Sequence, residues 1–132
     1  MQAAVFMTRY ILAIFVCSFA LSACLFDSGV EWEDKNYHVG WIDAGDNTLY
    51  CTISNGGPLK VKPTIIGVGS NDLFVVAKRR SEGGPIQYYY IRKGPNESSP
   101  CTTDRTHGPF NAVQFSALTE ELNLPSFEKN FK

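Results

Sequence analysis

Leu73-Phe74-Val75-Val76-Ala77-Lys78 is apolar at five successive positions. Successive side chains of a strand point to opposite faces, so a run without alternation must be covered on both. The segment therefore predicts a central strand, and the rest of the chain must supply what covers it. Arg79 to Pro85 (RRSEGGP) is rich in turn formers, and Ile86 to Lys93 (IQYYYIRK) is spaced to pair back as a hairpin. Setting Val75 opposite Ile91 places Ala77 opposite Tyr89 and Arg79 opposite Gln87. In that register the two basic groups, Lys78-Arg79-Arg80 and Arg92-Lys93, lie at opposite ends of the hairpin and make no shared anion site. The alternation sends Tyr88 and Tyr90 to one face and Tyr89 to the other. Three consecutive tyrosines cannot all enter one core, so at least one ring must meet a helix, solvent or a partner. Tyrosine is common in strands and is also enriched at binding hot spots. Tyr88, Tyr89 and Tyr90 are thus candidates for protein binding, with packing in the core or under a helix as the alternative.

The remaining chain also reads as short strands between turns. Tyr37–Ile42 and Thr48–Ile53 are strands separated by Asp43-Ala44-Gly45-Asp46-Asn47, and Ser54-Asn55-Gly56-Gly57-Pro58 turns again. Leu59 to Val68 alternates around Pro63, and a proline inside such a run points to an edge strand or a bulge. Gly69-Ser70-Asn71-Asp72 is a tight turn. Residues 94–108 read as a long loop carrying Cys101. Asn111 can cap a helix, with Gln114 completing a capping box. Ala112, Phe115, Leu118 and Leu122 recur at helical spacing to face the core, and Asn123 and Pro125 end the helix. Phe127 and Phe131 are spaced to tuck a tail against the sheet. The expected fold is α+β, mostly β: an antiparallel meander of about five strands with one C-terminal helix packed on the sheet.

Upstream, Arg9 precedes the apolar run Tyr10–Val16, and small residues follow. This is the layout of a secretory signal, too short for a comfortable membrane span of about 20 residues. Met7-Thr8-Arg9 makes a more compact positive start than Met1. Leu21-Ser22-Ala23-Cys24 resembles the lipobox of bacterial lipoproteins in four consecutive positions. The resemblance implies cleavage before Cys24, diacylation of its thiol and acylation of the new amine. The covalent lipid is the expected attachment, and no cofactor is expected. Leu25, where an aspartate retains lipoproteins in the inner membrane, implies the periplasmic face of the outer membrane in a Gram-negative host. Residues 1–23 are then the signal, 24–36 a lipidated tether in which Trp32 pins the end, and 37–132 one small β-rich domain.

Without residues 1–23 the chain keeps 109 residues, one modest core's worth, with 11 basic and 13 acidic side chains. That balance suggests neither nucleic acid nor a strongly anionic surface as partner. Cys17 leaves with the signal and Cys24 carries lipid, so Cys51 and Cys101 remain. Two thiols in an exported domain most simply form one disulfide. Zinc is the poorer reading, because Cys51, Cys101, His38 and His107 lack short ligand spacing.

Candidates for other chemistry are thin. His38 and His107 stand near no serine or cysteine in a recognisable nucleophile context. Asp43, Asp46 and Asn47 read as a hairpin turn, lacking the further oxygens and closing glutamate of a calcium loop. Gly67-Val68-Gly69 has no third glycine or lysine to make a phosphate loop, and Asn96-Glu97-Ser98 is a sequon that a bacterial lipoprotein does not normally use. The expectation is therefore no enzyme and no metal site.

From about residue 60 to 127 the chain resembles small uncharacterised bacterial lipoproteins. The likeness rests on the Leu73–Lys78 strand, the tyrosine-rich Gln87–Lys93 strand, Gly108-Pro109-Phe110 before the helix, and the Leu124-Pro125 tail. It implies a shape and no activity. By size and lipidation the chain is also similar to immunity lipoproteins. The expected function is a protein-binding module, an inhibitor or immunity factor against an envelope-active toxin or enzyme. The alternative is a structural or accessory lipoprotein of an envelope assembly.

Overall fold

The computed structural model describes residues 28–42, 45–52, 57–94, 101 and 105–132. The signal segment and Cys24 lie outside these residues, as do Asp43 and the Asn96 sequon.

The chain is mostly β, with nine strands in two antiparallel sheets and a single C-terminal helix among the described residues. The first sheet holds β1 (Ser28–Asp34), β2 (Tyr37–Ile42), β3 (Thr48–Cys51) and β4 (Leu59–Val61) in sequence order. The second is ordered β8 (Arg105–Phe110), β7 (Ile86–Arg92), β6 (Phe74–Arg80), β5 (Ile65–Ser70) and β9 (Lys129–Asn130). Helix α1 (Ala112–Leu122) packs on the second sheet.

The apolar run at Phe74–Ala77 explains this layering. Val75 and Ala77 enter the core between the sheets with Tyr37, Val39, Leu49, Val61, Ile65, Val68 and Ile91. Phe74 and Val76 enter a second core with Phe115 and Leu124, roofed by Leu118, Leu122 and Phe127. Strand β6 is thus covered on one side by a sheet and on the other by a helix. The hairpin register is the one its sequence predicts, with Val75 opposite Ile91, Ala77 opposite Tyr89 and Arg79 opposite Gln87. The preceding turn is closed by Asn71, whose Oδ1 accepts from the amides of Leu73 and Phe74 at 3.0 and 2.8 Å, an Asx turn.

Several local expectations differ from the structure. Residues 28–34, read as tether, form β1 and pair with β2 through a turn in which Lys35 is left-handed (φ 53°). An edge strand solvated on one side carries little hydrophobic signal, and β1 also holds a bulge between Val30 and Trp32 that breaks its alternation. Trp32 packs on the inter-sheet core. Pro63 follows an edge strand, as expected, but lies in a crossover: the chain leaves β4 at the edge of the first sheet at Val61 and enters the second at Ile65, with register shifts in both pairings. The Arg79 guanidinium fixes this corner, donating to the carbonyls of Lys62 and Pro63 and to Gln87 Oε1. The last part of the expected long loop is edge strand β8, where Pro109 is tolerated because one side of the strand needs no partner.

The helix starts as its sequence predicts. Asn111 Oδ1 accepts from the Gln114 amide at 2.8 Å, and Gln114 Oε1 accepts from the Asn111 amide at 3.0 Å. Asn123, left-handed, ends it. Ala112, expected inside, is exposed, whereas Phe115 is buried and Leu118 and Leu122 are half-buried. Beyond the helix the tail lies across β5, where Gly69 leaves room for it: a Cβ there would come 2.0 Å from the Ser126 carbonyl oxygen. Phe127 joins the helix-side core, and Phe131 joins the inter-sheet core.

Cys51 and Cys101 are disulfide-bonded, with Cα atoms 5.7 Å apart, and both are buried. Lys60 Nζ donates to the Cys101 carbonyl at 3.1 Å. The bond ties residue 101 to the inner face of the first sheet.

Candidate functional site

All three candidate tyrosines of β7 are half-buried and engaged in packing. Tyr88 stacks on Phe115 of the helix at 5.0 Å between ring centroids, and Phe127 stands 6.2 Å away. Tyr90 stacks on His107 at 4.6 Å and Phe110 at 5.9 Å, with Phe74 edge-on. Tyr89 points the other way, against the inter-sheet core, and its hydroxyl lies 3.5 Å from Gln87 Oε1. The pleat separates the rings as the sequence requires, but each side of the second sheet already has a layer over it.

Three of the five basic residues of the hairpin are likewise engaged. Arg79 holds the inter-sheet corner, Lys78 lies over the Phe127 ring at 4.8 Å, and Lys93 Nζ donates to Asp34 Oδ2 at 2.8 Å and to the Asn71 carbonyl at 2.6 Å. Burial alone would raise the Asp34 pKa. The Lys93 hydrogen bond, the Ser70 hydroxyl and the charges of Lys93 and Lys35 outweigh it and hold the carboxyl below its ordinary value. This pair clamps the end of β1 to the turn between β5 and β6.

No residue of the first sheet belongs to the helix-side core. Tyr37, Val39, Leu49 and Cys51 point inward, so alternation turns His38 and Tyr50 outward. Register brings Glu33 of β1, His38 of β2 and Tyr50 of β3 into one row, with Leu59 of β4 next to Tyr50. His38 stacks on Tyr50 at 5.3 Å. Its Nδ1 is buried, makes no hydrogen bond and has Glu33 Oε2 at 3.5 Å. Burial pushes the Tyr50 phenol up, and the Glu33 charge adds to the shift. Leu59 and Val30 are more than half exposed, at 53% and 55%. The result is an aromatic row with one carboxylate at its end and aliphatic groups beside it, a surface suited to contact another protein.

A separate opening lies at one mouth of the sandwich. Its volume is about 360 Å³, and its lining includes Glu31, Trp41, Asp46, Asn47, Thr64 and Lys132. Asn47 Nδ2 donates to Glu31 Oε2 at 3.2 Å, and the Asn47 carbonyl accepts from the Ile65 amide at 2.9 Å. Asn47 therefore organises this mouth, and Asp46 lines it.

Neither feature was named as a site from the sequence. Glu33, His38 and Tyr50 become neighbours only through the registers of three strands, and the first of those strands carries no clear pattern. Among the described residues no group of three or more His, Cys, Asp and Glu side chains is placed to hold a metal, and no helix is long and apolar enough to cross a membrane. Compared with known proteins, the chain matches no family model and shows no significant similarity to a curated protein or a solved structure.

Proposed function

We propose that this chain is a lipid-anchored binding protein of the bacterial envelope. In this reading Cys24 is the acylated first residue of the processed chain, held at the periplasmic face of the outer membrane. The domain blocks an envelope-active toxin or enzyme as an inhibitor or immunity factor. The observation that carries the binding role is the outer face of the first sheet. The second sheet spends its aromatic rings on two cores, while the first turns Glu33, His38, Tyr50, Leu59 and Val30 to its outer side, where Leu59 and Val30 are more than half exposed. The binding surface thus moves from the β7 tyrosines to the other sheet.

The test is capture from cross-linked envelope fractions by the wild-type chain and by the pair His38→Ser/Tyr50→Ser, followed by mass spectrometry. The captured protein is then assayed for activity with and without the purified chain. The expected result is a toxin or enzyme held by the wild type, released by the double variant and inhibited on binding. Equal capture by both chains overturns the assignment of the face. Capture of an assembly component whose activity does not change supports the accessory role instead. A wild-type chain that fractionates as soluble, with Cys24 unmodified by mass, refutes the anchor.

A further inference from the structure

The mouth lined by Trp41 lies at the end of the sandwich where β1 begins: Gly29, the second residue of β1, pairs with Trp41, and Ser28 pairs with Ile42. Residues 25–27 are all that stand between Cys24 and this strand. Four residue steps span at most about 14 Å, and the three further steps along β1 to Glu31 add about 10 Å. If Cys24 bears lipid, the mouth is held within reach of the lipid headgroups, which occupy the outer several Å of each leaflet.

The lining matches one headgroup chemistry. Glu31 and Asp46 supply two carboxylates for an ammonium, and Glu31 is oriented by Asn47. The Trp41 indole adds a cation-attracting face. Lys132 supplies a positive charge on the same rim for an anion. A purely cationic ligand would leave Lys132 opposed, and a simple phosphate would meet two carboxylates. A volume of about 360 Å³ admits a headgroup. We propose that this mouth is a headgroup site that takes zwitterionic phosphoethanolamine from the membrane in which the chain is anchored, with the ammonium on Glu31, Asp46 and Trp41 and the phosphate on Lys132. The proposal rests on lipidation at Cys24. It would orient the domain with this mouth against the bilayer and leave the outer face of the first sheet open to a partner.

The test uses the full lipidated chain in detergent micelles and follows the indole N–H signal of Trp41 by NMR during titration with O-phosphoethanolamine. Ethanolamine, inorganic phosphate and acetyl-arginine amide are titrated in parallel. A saturable shift is expected with O-phosphoethanolamine, at least tenfold weaker with ethanolamine or phosphate, and lost in Glu31→Gln/Asp46→Asn. Transfer to nanodiscs of phosphatidylethanolamine, against nanodiscs of phosphatidylcholine, should place the signal at its bound position only in the former. No saturable shift, a shift unchanged in the double variant, or equal binding of the arginine amide overturns the site. Binding of the free compound with no response to phosphatidylethanolamine nanodiscs overturns the membrane source. None of these outcomes alters capture through His38 and Tyr50, so this proposal and the binding reading fail separately.

Discussion

Breaking the Cys51–Cys101 bond tests the largest single constraint in the fold. The bond closes a loop of 50 residues in sequence. In the chain-entropy argument a loop of that length restrains the unfolded chain by on the order of 4 kcal/mol. Domains of this size are stable by only about 5–15 kcal/mol, so the loss is a large share of the total. The structure gives a second reason to expect a large effect: both cysteines are buried, and the bond joins residue 101 directly to β3. The assay is urea unfolding followed by circular dichroism, on oxidised protein, on protein reduced with a phosphine, and on Cys51→Ala/Cys101→Ala. With a slope of roughly 2 kcal/mol per molar urea, the midpoint should fall by about 2 M in both altered forms, and the slope should rise as the freed unfolded chain expands. Reduction keeps both sulfurs in place, so agreement between the reduced and alanine forms separates the cross-link from side-chain packing. A loss below about 1 kcal/mol in both forms would refute the reasoning, because the loop would then not have been free in the unfolded chain.

Two further outcomes follow from particular contacts. Asp34 has a lowered pKa, so its contribution to stability is complete above the ordinary aspartate value of about 3.9 and is lost as pH falls through the lower folded value. Asp34→Asn should therefore be less stable than wild type at pH 7 by about 1.5 kcal/mol, the scale of a hydrogen bond to a charged group, with the gap closing at pH 2; an equal gap at both pH values in urea titrations would show that the charge is not the cause. Tyr89→Ala removes a ring packed on the inter-sheet core and should cost roughly 2 kcal/mol, while partner capture per folded molecule stays intact; unchanged thermal stability with weakened capture would return the binding role to β7.

The parts of the fold legible in the sequence are those whose partners lie close along the chain. The β6–β7 hairpin could be registered residue by residue, because a short turn fixes which side chains face each other, and apolar Phe74–Ala77 announced cover on both faces. The capping box at Asn111 and Gln114 is likewise a three-residue feature. The cysteine pair was readable because Cys51 and Cys101 are the only two cysteines beyond residue 24. The division into two sheets was not readable. Nothing local distinguishes a proline that ends one sheet from one that bulges a strand, and Pro63 took its role from Arg79, sixteen positions away. Strand β1 was hidden because an edge strand with one solvated face and a bulge need not alternate.

The candidate sites follow the same division. Composition and spacing pointed to a β-rich domain and offered the β7 tyrosines as rings that could not share one core. Only tertiary structure decided which rings each of the three packs against. It also gathered Glu33, His38 and Tyr50 on one face, and Glu31, Trp41, Asp46 and Lys132 at one mouth. The physical reason is that periodicity states which side of its own strand a residue takes. Which strands become neighbours, and which side is left without a layer, is decided by burial summed over the whole chain.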